Sequence, residues 1–261
     1  MSRYYHALLT PFLFALLIGA PAAADSITCL GRIEPLDGVR VLAGPSGSGS
    51  ASVITELFAK EGDWVAKGQV LAVLDDQLLR QAEVNSHAEL LKEAQVNLAR
   101  LENLGKSQTI SRSKLDEARY RHSSLQAEMG VYEARLEMSL IRAPDRGQVL
   151  KIFTHPGEKV GPAGVLELGE TDKMTVVAEV YETDVHRLAE GQKAIITSPA
   201  LATPLEGKVI KVGFRVGKMD VLSSDPVADT DARVVETTIL VDDPVPLQRL
   251  TNLQVDVEIL P

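Results

Sequence analysis

A chain of 261 residues, 45% of them hydrophobic, can bury two or three small cores rather than one large one. Its formal charge of −9 comes with no basic cluster and no run of aromatics interleaved with cations, which argues against nucleic acid as a partner. The single cysteine, Cys29, permits no intrachain disulfide.

At the N-terminus Arg3 and His6 precede the apolar run Ala7 to Ala20, and Pro21-Ala22-Ala23-Ala24 follows before Asp25. This is the three-part pattern of a secretory signal, with cleavage expected after Ala24. The apolar run, about 14 residues, is too short to span a bilayer comfortably. A lipid anchor on Cys29 is weighed against a small strand side chain. Ser26-Ile27-Thr28 lacks the bulky and small residues of a lipobox, so the strand reading is preferred.

From Ile33 to Leu74 short apolar runs such as Val39 to Leu42, Val53-Ile54 and Val70 to Leu74 are cut by glycines, which predicts strands. The segment Gly44 to Ser50 lacks the Gly-Lys-Ser/Thr ending of a phosphate loop and reads as a flexible turn. Leu78 to Leu140 is different. Val84, His87, Leu91, Ala94, Leu98 and Leu101 recur at steps of three and four. So do Leu115, Ala118, His122, Leu125, Met129, Tyr132, Leu136 and Ser139. The polar stretch Gly105 to Ser113 lies between them, with Gly105 expected to stop the first helix. Two antiparallel arms of about 28 residues, roughly 40 Å long, are predicted.

An internal repeat brackets this hairpin. Ile54, Gly62, Val65, Val70, Leu71 and Val73 recur 95 residues on as Val149, Gly157, Val160, Val165, Leu166 and Leu168, with Asp63 echoed by Glu158. Each copy is a small β-unit unable to bury its apolar run alone, so the two are expected to pack together with the hairpin inserted between them. Beyond Leu168, alternating runs at 175–180, 194–197, 208–212, 234–240 and 255–259 predict a small barrel. A short helix is expected within Glu182 to Glu190, ended by Gly191. Val216 to Asp231 reads as a long polar connection.

Three motifs, in order, carry a resemblance. They are Glu61-Gly62-Asp63-x-Val65-x-x-Gly68-Gln69-Val70-Leu71-Ala72 before the hairpin, Ile141-Arg142-Ala143-Pro144-x-x-Gly147-x-Val149 after it, and Tyr181-Glu182-x-Asp184-x-x-x-Leu188-x-x-Gly191-Gln192 in the last segment. The chain resembles the HlyD family of periplasmic adaptors, also called membrane fusion proteins. Asp231 to Glu236 and Leu250 to Val255 are similar to its DevB-like branch, which works with ABC exporters. The resemblance implies an α+β, mainly β, fold: a lipoyl-like β-domain split by an inserted antiparallel coiled-coil hairpin, then a small β-barrel domain. The implied boundaries are a signal at 1–24, an N-terminal segment with the first lipoyl-like half at 25–76, the hairpin at 77–140, the second half at 141–173 and the barrel at 174–261.

It also implies a periplasmic adaptor that joins an inner-membrane ABC transporter permease to a TolC-like outer-membrane channel for efflux or secretion. The implied assembly is a homo-oligomeric, six-membered ring without cofactor or reaction of its own. A proton-driven pump is the alternative transporter. Adaptors that dock onto TolC-like channels share an arginine, a leucine four residues on and a serine seven beyond, and Arg100, Leu104 and Ser111 have that spacing. Arg100 and Leu104 share a helix face, Ser111 can cap the second arm, and Arg100 can donate to carbonyls or carboxylates of a partner. Tyr181, Glu182, Asp184 and Leu188 are the implied contacts with the transporter or a neighbouring protomer.

Two other functions were weighed. The paired β-units resemble halves of a lipoyl or biotinyl carrier, but the turn that would bear the modified lysine is replaced by the hairpin. Lys67 and Lys159 lie elsewhere in each unit. For catalysis, the five histidines are scattered, no two with metal spacing. Asp75-Asp76 is explained by a helix N-terminus, and no nucleophile motif occurs. His87 and His122 share the seam and could face each other as an acid-sensitive switch, but a satisfied structural pair or solvent-edge positions are the preferred reading.

Overall fold

The computed structural model describes residues 25–44, 52–106, 110–219 and 232–261. The signal-like leader at 1–24, the Gly/Ser-rich turn after Gly44 and the greater part of the Val216–Asp231 connection lie outside the described residues. No helix among the described residues is long and apolar enough to cross a membrane.

The repeat becomes two interlocked sheets. One is ordered β2 (Arg40–Leu42), β8 (Leu166–Gly169), β7 (Gly147–Ile152), β4 (Trp64–Val65), and the other β3 (Ile54–Leu57), β5 (Val70–Leu74), β6 (Leu140–Arg142). The copies pair by exchange. Trp64 pairs with Gln148, and its repeat mate Lys159 bridges Val53, the mate of Gln148. Gly62 N–H donates to the Val149 carbonyl at 2.7 Å and Gly157 N–H to the Ile54 carbonyl at 2.7 Å. Even the turn caps repeat: Asp63 Oδ2 accepts from Lys60 N–H and Glu158 Oε2 from His155 N–H, at 2.9 and 2.8 Å. Gly62 and Gly157 have φ of +92° and +89°, a conformation in which a side chain is strained. The two copies thus bury one shared core, with Ile54, Leu71, Val165 and Leu166 fully covered.

A second core lies inside a closed antiparallel barrel ordered β1 (Ile27–Pro35), β13 (Gln254–Ile259), β10 (Lys193–Thr197), β11 (Leu205–Lys218), β12 (Arg233–Val241) and β9 (Met174–Tyr181). Ile33, Val176, Ile196, Ile239 and Val257 fill it. Sequence patterning placed five strands here and assigned residues 25–35 to the N-terminal segment. β1 is the sixth, closing the barrel between β9 and β13. Gly31 is required in β1 by proximity: a Cβ there would lie 2.6 Å from Val176 Cγ1. Cys29 is a buried core side chain of β1, as the strand reading expects. Glu179, 1% exposed, receives a hydrogen bond from Arg32 at 3.2 Å. Burial opposes the charge of Arg32, but hydrogen bonds to Glu34 and Glu236 outweigh it and raise its pKa.

Candidate docking site at the hairpin tip

The hairpin consists of α1 (Gln77–Lys106) and α2 (Arg112–Met138). All fourteen residues assigned to the seam from their spacing are buried or half-buried. Ala94 and Ala118, the most covered apolar members, let the backbones approach closely. His87 is 5% exposed, its Nε2 is 3.0 Å from the Leu125 carbonyl, and its ring lies 4.7 Å from that of Tyr132. The expectation that His87 could face His122 is therefore corrected. In an antiparallel pair the partner is set by distance from the turn, which brings His87 level with Leu125 to Tyr132.

The root is fastened to the β-sheets by backbone and side chain together. Asp75 N–H donates to the Val53 carbonyl at 2.9 Å, and Asp75 Oδ1 accepts from Val53 N–H at 3.1 Å. Asp76 Oδ2 accepts from Arg80 Nε at 3.0 Å, one turn into α1. That bond, with one to Glu83, raises the pKa of Arg80. On the exit side Arg142 donates to the Gly68 carbonyl at 3.0 Å and pairs with Glu137. Gly68 N–H donates to the Ala143 carbonyl at 2.8 Å, and Ala143 N–H to the Gln69 carbonyl at 2.9 Å. The motifs flanking the hairpin thus hold its two ends side by side.

With 30 residues in α1, the turn stands about 45 Å from this root. Gly105 does not end α1. The helix continues through it to Lys106, and Gly105 lacks positive φ, with Ile110 and Leu115 beside it. Arg100 and Leu104 lie on one exposed face of that end, Leu104 41% exposed. Arg100 Nη2 donates to Asn97 Oδ1 at 2.8 Å, which holds one arm of the guanidinium, and among the described residues its other donors have no partner. Ser111 is the N-cap of α2 and accepts from Lys114 N–H at 3.4 Å. Around the turn, Glu102, Gly105, Lys106, Ile110, Arg112 and Leu115 line an open groove of about 530 Å³.

The barrel motif is arranged otherwise. The short helix is a single 3₁₀ turn, Val185–Arg187, since the segment is spent on fixing itself to the barrel. Asp184 pairs with Arg187 at 3.0 Å, Leu188 packs against the barrel core, and Gly191 N–H donates to the Val209 carbonyl. Gln192 closes the turn through Ala189 N–H and the Arg187 carbonyl. Of the four residues assigned there, Tyr181 and Glu182 remain exposed. Two clusters escaped sequence reading because their members are distant in the chain. Asp145 receives Arg40 and Lys67, whose hydrogen bonds hold its carboxyl below the usual range. Arg146 lies 4.3 Å from the centre of the Trp64 ring and pairs with Asp172 and Glu170.

No protein-family model matches the chain. It is 30% identical over 205 residues to a macrolide export protein, MacA, of Yersinia pestis, covering 66% of this chain and 54% of that one. The MacA of Escherichia coli O157:H7 is 30% identical over 220 residues, covering 71% and 57%. The chain belongs to the HlyD family of membrane fusion proteins. It spans somewhat more than half the length of these relatives. In fold it matches a MacA–MexA chimera carrying the Pseudomonas aeruginosa MexA α-hairpin domain, with a TM-score of 0.74 at 21% identity, over 90% of this chain and 79% of that one. The membrane fusion protein Spr0693 of Streptococcus pneumoniae R6 gives 0.63 at 18% identity, over 90% and 98%.

Lys67 Nζ lies 3.1 Å from Asp145 Oδ1, and Lys159 lies in the bridge to Val53. Among the described residues no group of three or more His, Cys, Asp or Glu side chains is placed to hold a metal ion.

Proposed function

We propose that this membrane fusion protein is a periplasmic adaptor of an efflux or secretion system, joining an inner-membrane ABC transporter to a TolC-like outer-membrane channel. The domain division of the resemblance, with a lipoyl-like unit at 25–76 and 141–173 and a barrel domain at 174–261, belongs to this reading. The observation that carries it is the exposed Arg100–Leu104 face at the end of a long arm rooted at both ends. A guanidinium with free donors beside an apolar side chain suits a partner tip that presents carbonyls or carboxylates. Tyr181, Glu182, Asp184 and Leu188 would stand at the transporter or neighbour contact, the last two by shaping the loop.

A ring is supported by the hairpin's flanks. On α2, Tyr120, Ser124, Ala127, Val131, Ala134 and Met138 repeat at steps of three and four about half a turn from the seam, and all are exposed. On α1, Leu78 and Val96 lie opposite the seam, 80% and 64% exposed. With His87 level with Glu128, Leu78 is level with Met138 and Val96 with Tyr120. Each hairpin thus offers two different exposed flanks with apolar side chains at matching heights, which suits a head-to-tail ring. The test of the tip is Arg100→Asp in the full chain. Circular dichroism should be unchanged and cross-linking to the channel lost; normal cross-linking would refute the tip assignment.

A further inference from the structure

One strand of the barrel, β11, carries Lys208, Lys211, Arg215 and Lys218, and its neighbours set Lys193 and Arg233 opposite two of them. β11 outruns its neighbour β10: their ladder ends at Lys193↔Lys208, Val209 still bonds to Gly191 and Gln192, and beyond it β11 is paired only with β12 through two register shifts. The ladder opposes Lys193 to Lys208 and Lys218 to Arg233, two like-charge pairs that cost stability. Lys211 and Arg215 lie between them, and among the described residues none of these six has an ion pair or side-chain hydrogen bond. In a chain of net charge −9, such an unneutralised stripe is exceptional. In its midst, within the second register shift, stands Phe214, 99% exposed, with Val216 at 49% and Ile210 at 37%.

Single exposed apolar residues are ordinary, but here the aromatic stands on the same strand segment as Lys211, Arg215 and Lys218. Lysines and bulges along an open edge also discourage another strand from pairing there, which disfavours a second copy adding to the sheet. What remains complementary is an anionic surface with an apolar layer beneath it. We infer that β11 is a lipid-contact strand, with Phe214 entering an anionic bilayer at headgroup level and Lys211, Arg215 and Lys218 meeting the phosphates. This goes beyond the adaptor reading and does not depend on tip docking. The connecting segment bears Asp220, Asp225, Asp229 and Asp231, so its charge opposes binding.

The test is co-sedimentation of the full chain with vesicles of phosphatidylcholine, with and without phosphatidylglycerol. Binding should require phosphatidylglycerol and weaken steeply with salt. Arg215→Glu should weaken it at least fivefold, because each cation near such a surface contributes about that factor. Phe214→Ser should weaken it about tenfold or more, the cost of removing a buried aromatic. Asp→Asn changes at the four aspartates should strengthen it. All these side chains are exposed or lie outside the described residues, and unchanged thermal melting would verify folding. Absence of binding, equal binding to both vesicles, or indifference to both β11 substitutions overturns the inference. Loss of transporter capture in the Phe214 and Arg215 variants without any vesicle binding would also overturn it, in favour of an acidic protein surface. Arg100→Asp should bind vesicles normally, so failure here and failure at the tip are separable.

Discussion

Cys29 shows how one side chain reports on the barrel. Burial, followed by the nearby charge of Glu179, pushes its thiol from 9.0 up to about 12. The folded chain therefore keeps the proton that the unfolded chain releases above pH 9. The resulting stabilisation is complete below that pH and is lost as pH rises from 9 towards 12. Denaturant titrations at stepped alkaline pH should show that loss, and Cys29→Ala should flatten it. At pH 8 a thiol reagent should modify the native chain far more slowly than the unfolded one. A native thiol that reacts as fast as the unfolded one would contradict the burial. Single residues were legible from sequence where their role is local. Ser111 precedes the second arm and caps it, as its position required. Asp75 was not, because its carboxylate serves Val53, which reaches it only through the pairing of the two β-copies.

The elements follow from periodicity wherever one partner covers one face. The seam was readable because each helix buries a single stripe against the other, so spacing in the chain equals position on the surface. The stripe from Tyr120 to Met138 has the same spacing but is small and mixed in polarity, and without knowing the seam it has no visible direction. The repeat makes a sharper prediction. Gly62 and Gly157 have nearly equal φ, and a Cβ at either would meet nothing within 4 Å. Gly62→Ala and Gly157→Ala should therefore each cost about 1–2 kcal/mol of backbone strain, alike within error, in chemical denaturation. A difference of several kcal/mol would mean that the two turns are not equivalent. Ala94→Leu, by contrast, forces a large side chain into the seam and should cost about 1–3 kcal/mol. It should loosen hydrogen exchange in both arms while leaving the barrel unaffected.

For the whole molecule the decisive question is how copies meet. Paired cysteines at Val96 and Tyr120, introduced in one chain, should be joined between chains by a short bismaleimide, giving a ladder of species that ends at six. Buried Cys29 should not contribute. Cross-links that never exceed a dimer would refute the ring. In the order of its parts the fold was legible in advance: a β-unit, an inserted hairpin, the second β-unit and a run of strands. A small barrel was expected from that run, but the strand that closes it was not, because β1 pairs with β9 and β13 across most of the chain, and strand pairing at such separations leaves no periodic trace.

The hairpin's seam, the repeat around it and the Arg100–Leu104–Ser111 spacing were determined by the sequence alone, since each depends on contacts between near neighbours or on identity between copies. Tertiary structure decided the rest: which face of each arm stays open, how Arg142 and Asp75 bind the root, and how Lys193 and Arg233 come to stand opposite the cations of β11. Those relations depend on strand register and helix rotation, which bring together residues that no spacing in the chain connects.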